Sequence, residues 1–117
     1  MNTVAQYINQ LLIEAKDAEL YTALIAQLNK DFILAGLSIG VENNLPPKEL
    51  QQEVYTIVTH LINTNFEGFL SLLYRIDLSE EKIKSISKDD FDSYINQVSF
   101  LILKREWMKV WYRKKYS

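Results

Sequence analysis

Apolar residues recur at three- and four-residue spacing along almost the whole chain, and that period predicts helices. Val4, Ile8, Leu11, Leu12 and Ala15 form the first stripe, with Tyr7 beside it and Thr3 placed to cap it. The pattern runs on through Ala18, Tyr21, Leu24, Ile25 and Leu28, as one long helix or as two meeting near Asp17. A break there is favoured, with Asp17 as the second N-cap. Phe32, Ile33 and Leu34 extend the stripe to Gly36, a natural C-terminal stop. Leu50, Val54, Ile57, Val58, Leu61 and Ile62 predict the next helix, which opens at Pro47 and runs to about Asn63.

The densest apolar face follows. Phe66, Phe69, Leu70, Leu73 and Ile76 share one side of a helix, Leu72 and Tyr74 widen it, and Asn63, Thr64 or Asn65 can cap it. Asp77 or Ser79 can then cap a short helix that has Glu80 and Glu81 in its first turn and Ile83 and Ile86 turned inward. Ser87 or Asp89 starts the last helix, lined by Phe91, Tyr94, Ile95, Val98, Leu101 and Ile102. Residues 98–103 are apolar on every side, which predicts a central position in the bundle. This helix is expected to reach about Tyr112, roughly 35 Å at the helical rise.

Between the second and third of these units lie residues 36–47, rich in Gly, Asn and Pro. Leu37, Ile39 and Val41 alternate as in a strand, but one such segment cannot make a sheet, so it is read as an ordered loop plugging the core. Loops this long are often functional, which makes it a candidate by location. The expected fold is all-α: a single domain over residues 1–117, a compact bundle of five or six helices with one irregular loop around residues 36–47.

Composition narrows the chemistry. A 117-residue chain with 48% hydrophobic and 24% charged residues can bury roughly two-thirds of its unfolded surface without help from metal or disulfide. No cysteine is present, so thiolate zinc sites and cysteine nucleophiles are excluded, in keeping with a cytoplasmic location. No run approaches the ~18 apolar residues of a membrane span, and the acidic N-terminal region does not read as a signal peptide. There is no phosphate-binding glycine loop, nucleophile elbow or EF-hand spacing, and no cofactor is expected. His60 is the sole histidine, which rules out two-histidine zinc motifs. The acidic groups Glu80/Glu81 and Asp89/Asp90/Asp92 sit at helix starts, where the dipole accounts for them.

The net charge of −2 conceals an asymmetry. Residues 1–103 hold seven Lys/Arg against fourteen Asp/Glu, whereas residues 104–117 hold six Lys/Arg against Glu106 alone. Two groups stand out in consequence. Tyr74, Arg75 and Asp77 form a polar-aromatic knot at a helix end, able to bind an anion but accounted for as a structural junction: Arg75 paired with Asp77 or a distant acid, Asp77 capping the next helix. Arg105, Trp107, Lys109, Trp111, Arg113 and Lys114 form a basic amphipathic helix end. Dipole compensation and packing of the aromatics on the first helix explain part of it, yet two Trp in a strongly basic run exceed what capping requires.

The string Leu72-Leu73-Tyr74-Arg75-Ile76-Asp77-Leu78-Ser79-Glu80, followed by Lys82, resembles a group of small uncharacterised bacterial all-helical proteins that share a Leu-Leu-Tyr-Arg-Ile-Asp segment. The likeness covers about a fifth of the chain, with a looser match from Asp31-Phe32 to the helix end at Gly36. It implies a compact cytoplasmic helical domain and carries no activity.

Taken together, the sequence reads as a soluble non-enzymatic helical domain acting through a protein partner, as a homodimer or an accessory subunit. The alternative is docking of the basic C-terminal helix on nucleic acid or an anionic membrane, against which the acidic body weighs. An enzyme reading would need His60, Glu53, Tyr74 and Arg75 to converge on one cleft.

Overall fold

In the computed structural model, which describes residues 3–117, six helices follow one another: α1 (Val4–Asp17), α2 (Tyr21–Leu34), α3 (Pro47–Thr64), α4 (Phe66–Ile76), α5 (Glu80–Lys84) and α6 (Phe91–Tyr116). There is no strand among the described residues, so the all-α bundle expected from the periodicity is the fold observed. No helix among them is long and apolar enough to cross a membrane.

The helix starts follow local chemistry. Thr3 forms a capping box with Gln6, its Oγ1 accepting from the Gln6 N–H at 3.2 Å while the Thr3 N–H donates to Gln6 Oε1 at 2.7 Å. Pro47 occupies the first turn of α3. Asn65 closes α3 by donating its N–H to Leu61 and opens α4 by accepting from the Gly68 N–H at 3.0 Å. Ser79 caps α5 and Asp90 caps α6.

Three helix ends use one device. Glu19, Gly36 and Asp77 are left-handed, with φ of 61°, 82° and 62°. Each donates its N–H three residues back, and the leucine after it donates five residues back: Leu20 to Ala15, Leu37 to Phe32, Leu78 to Leu73. Leu37 and Leu78 are buried and Leu20 packs against the core, so each stop also adds a core side chain. Three caps bear on the sequence reading, the first at α6, which Asp90 caps in place of Ser87 or Asp89. Asp17 is the last residue of α1 and caps nothing, because the chain needs the left-handed turn at Glu19 before α2 can start. Asp77 terminates α4, leaving the capping of α5 to Ser79.

The 36–46 segment is an ordered loop with Leu37 and Val41 buried. Its strand-like alternation meets a side-chain amide in place of a neighbouring strand. Asn29 of α2 donates to the Val41 carbonyl and accepts from the Val41 N–H, both at 2.8 Å, while the Tyr21 hydroxyl donates to the Leu45 carbonyl at 2.6 Å.

α6 is the axis of the bundle, packing against α1, α2, α3 and α4. Its 26 residues span ~39 Å, against ~21 Å for α1 and α2. It outruns its neighbours, and residues 111–117 are all exposed.

Candidate functional site

The stripe Ile102, Glu106, Val110 on α6 places a carboxylate where the spacing asks for an apolar residue, and Glu106 is fully buried. On α2 the pair Gln27 and Asp31, four residues apart, interrupts the face formed by Leu24, Ile25, Leu28 and Phe32. The two helices bring these polar groups together. Lys109 Nζ lies 2.7 Å from Asp31 Oδ2 and 3.6 Å from Glu106 Oε1. Gln27 Nε2 donates to Asp31 Oδ2 at 2.9 Å, and Arg113 Nη2 donates to Gln27 Oε1 at 2.6 Å. From α4, Arg75 Nε stands 3.9 Å from Asp31 Oδ1. At the rim, Arg105 Nη2 is 3.6 Å from Asp77 Oδ2.

Two carboxyls share this interior with one lysine, and they take different protonation states. Burial pushes Glu106 up to about 9, helped by its hydrogen bond to Asp31 and by the Asp31 charge, and Lys109 does not reverse this. Burial also acts to raise Asp31, but hydrogen bonds from Glu106, Lys109 and Gln27 outweigh it and hold Asp31 below the usual carboxylate range. Among the described residues no nitrogen or hydroxyl donor satisfies either Glu106 oxygen. The proton that Glu106 keeps at neutral pH is what lets it donate to the Asp31 carboxylate. The result is an Asp31–Lys109 ion pair flanked by a neutral acid.

This cluster absorbs much of what the sequence offered as surface. Trp107 is 8% exposed and belongs to the core; as a surface residue it is corrected, because α6 is still inside the bundle at that turn. Lys109 and Arg113 are held by the buried partners Asp31 and Gln27, and Arg105 by Asp77 at the surface. Trp111 at 43% exposure and Lys114 stay outside. Of the knot at the end of α4, Arg75 turns to Asp31 and not to Asp77, while Tyr74 is 88% exposed. The junction and the basic helix end, thirty residues apart in the chain, are thus one network joined through Asp31. Sequence reasoning missed Gln27, Asp31 and Glu106, although polar residues at four-residue spacing inside an apolar face were the available signal.

Past this cluster α6 carries aromatic and basic side chains into solvent. The Trp111 ring lies 6.1 Å from that of Trp107 and tilted to it by 38°, and the Tyr112 and Tyr116 rings lie 6.1 Å apart and nearly parallel. Lys114 and Lys115 make no ion pair among the described residues.

The opposite end of α6 forms one wall of a groove of about 720 Å³, lined with Leu45, Glu49, Glu53, Tyr55, Asp92 and Asn96 among others. The Tyr55 hydroxyl donates to Asp92 Oδ1 at 2.7 Å and Asn96 donates to Asp92 Oδ2 at 3.3 Å. The hydrogen bond to Asp92, with smaller contributions from burial and from the charges of Asp92 and Asp90, raises the Tyr55 phenol above its ordinary value. Glu53 lines this groove, His60 a separate depression beside Thr64, and Tyr74 with Arg75 a third against Leu34 and Leu70.

Comparison with protein families, curated proteins and solved structures found no match.

Proposed function

We propose that this chain is a non-enzymatic helical domain that acts by docking on another protein, as a homodimer or an accessory subunit, through the projecting end of α6. One observation carries the reading: Trp111, Tyr112 and Tyr116 stand substantially exposed on the last turns of α6, while the cations Lys109 and Arg113 among them serve the interior. Tyr and Trp give large contact area at low entropic cost and dominate the centres of protein interfaces. Lys114 and Lys115 beside them favour an acidic partner surface.

The test is the triple variant Trp111→Ala/Tyr112→Ala/Tyr116→Ala. These side chains contribute little to the core, so helicity and melting should be retained. Association measured by sedimentation, or retention of a defined partner protein, should be lost. Wild type and variant that are alike monodisperse monomers and hold no partner would end the proposal.

Docking on nucleic acid or an anionic membrane finds less support. With Lys109 and Arg113 bound to buried partners and Arg105 paired with Asp77 at the surface, the tail offers few cations to phosphates, a small electrostatic footprint.

A further inference from the structure

The projecting turns and the acidic groove sit at opposite ends of the same helix, and each has what the other lacks. At one end residues 111–117 are exposed all round, with Trp111, Tyr112 and Tyr116 interleaved with Lys114 and Lys115. At the other, Glu49 and Glu53 from α3 and Asp92 from α6 give the groove an acidic lining, against which Lys48 is the one cation. Asp90 adds its charge close to Tyr55, and Asp89 precedes it in the chain. Leu45, Tyr55 and Thr56 supply less polar wall on which an aromatic ring can pack.

One molecule cannot unite the two. Between the groove residues Asp92 and Asn96 and the tail residues 111–116 stand roughly 22–36 Å of continuous helix. Copies aligned with like ends together would oppose basic tail to basic tail, so charge selects the arrangement in which tail meets groove.

We propose that the α6 end of one copy docks in the α3–α6 groove of a second copy. Trp111 and the two tyrosines supply contact area, and Lys114 and Lys115 meet the carboxylates of Glu49, Glu53 and Asp92. The contact is head-to-tail, a heterologous interface in which two different patches of the same chain meet. The inference rests on the reading of the α6 end as a docking element and names its partner.

Charge reversal tests it on the intact chain, by sedimentation from micromolar to millimolar concentration. Wild type should self-associate, and raising the salt severalfold should weaken this by about tenfold. Lys114→Glu/Lys115→Glu and Glu49→Lys/Glu53→Lys change only exposed positions, and each alone should raise the association midpoint by about tenfold or more. An equimolar mixture of the two should recover association, since every tail then meets a groove of opposite sign. Recovery separates interface loss from misfolding. A monomer at millimolar concentration, association that ignores either reversal, or a mixture without recovery overturns the inference. So does tail-dependent binding to duplex DNA or phosphatidylserine vesicles without self-association. A monomeric wild type that retains a different protein, lost in the triple aromatic variant, would overturn the second-copy inference and leave the docking proposal standing. Loss of both results would remove both.

Discussion

Lys109 on α6 and Asp31 on α2, seventy-eight residues apart, meet at 2.7 Å inside the bundle, and this contact turns the first half of the basic C-terminal run into core. Breaking a buried pair leaves one charge without compensation, which costs far more than a surface pair is worth. Lys109→Met should therefore destabilise by about 3 kcal/mol, because Asp31 keeps its charge and only the more distant Arg75 to answer it. Asp31→Asn should cost less, about 1–2 kcal/mol, since Lys109 can then pair with Glu106. Urea unfolding of both variants checks the order. An Asp31→Asn protein less stable than Lys109→Met would contradict it.

The protonated Glu106 predicts an unusual pH profile. Its folded value, about 9, lies above the ordinary 4.5, so the folded chain holds a proton that the unfolded chain releases. That contribution is fully present below about 4.5 and is lost as pH rises through about 9, with a slope that approaches ~1.4 kcal/mol per pH unit between them. Asp31 acts in the opposite sense: its lowered value gives stability above its ordinary 3.8 that is lost as pH falls through the folded value. The contribution of this pair should peak at about pH 4, between the two ordinary values, and decline towards pH 9. Glu106→Gln should abolish the alkaline decline, as read from melting temperature across that range.

Gly68 presents a test of packing. An alanine in place of a helix glycine ordinarily stabilises by up to ~1 kcal/mol. Here a Cβ would overlap Asn65 Nδ2 and lie 2.8 Å from Leu37 Cδ2, striking both the α4 cap and the loop leucine that plugs the core. Gly68→Ala should destabilise by about 1–3 kcal/mol in chemical denaturation. An increase in stability would mean that the cap and the plug are not where the structure has them.

Glu19 makes the converse case. It holds a left-handed φ of 61° that costs a side-chain-bearing residue about 1 kcal/mol, and it is exposed with no ion pair among the described residues. Glu19→Gly should raise the melting temperature by about 4 °C. Asp77→Gly should gain less, because it forfeits the Arg105 contact at the surface.

These residues also show why some of the molecule was legible in the sequence and some was not. Thr3, Pro47 and Asn65 act on groups within a turn of themselves, so residue type and position suffice to read them. Gly36 advertises its left-handed turn, whereas Glu19 and Asp77 do the same work with residues that carry no such mark. The leucine that follows each of the three is the better signal. Asp31 and Glu106 show in the sequence as breaks in an apolar face, but their pairing does not: it depends on the packing of α2 against α6, which no local pattern encodes. Trp107 and Trp111, a single turn apart on the same stripe, part company only because the bundle ends between them.

That parting is the centre of the account, and acrylamide quenching of two single-tryptophan proteins measures it most directly. In Trp107→Phe the remaining Trp111 should be readily quenched in dilute solution and become shielded as concentration rises and the α6 end docks. In Trp111→Phe the remaining Trp107 should be shielded at every concentration. Equal quenching of the two, or a Trp111 already shielded in the dilute monomer, would contradict the division of α6 into a buried half and a docking end.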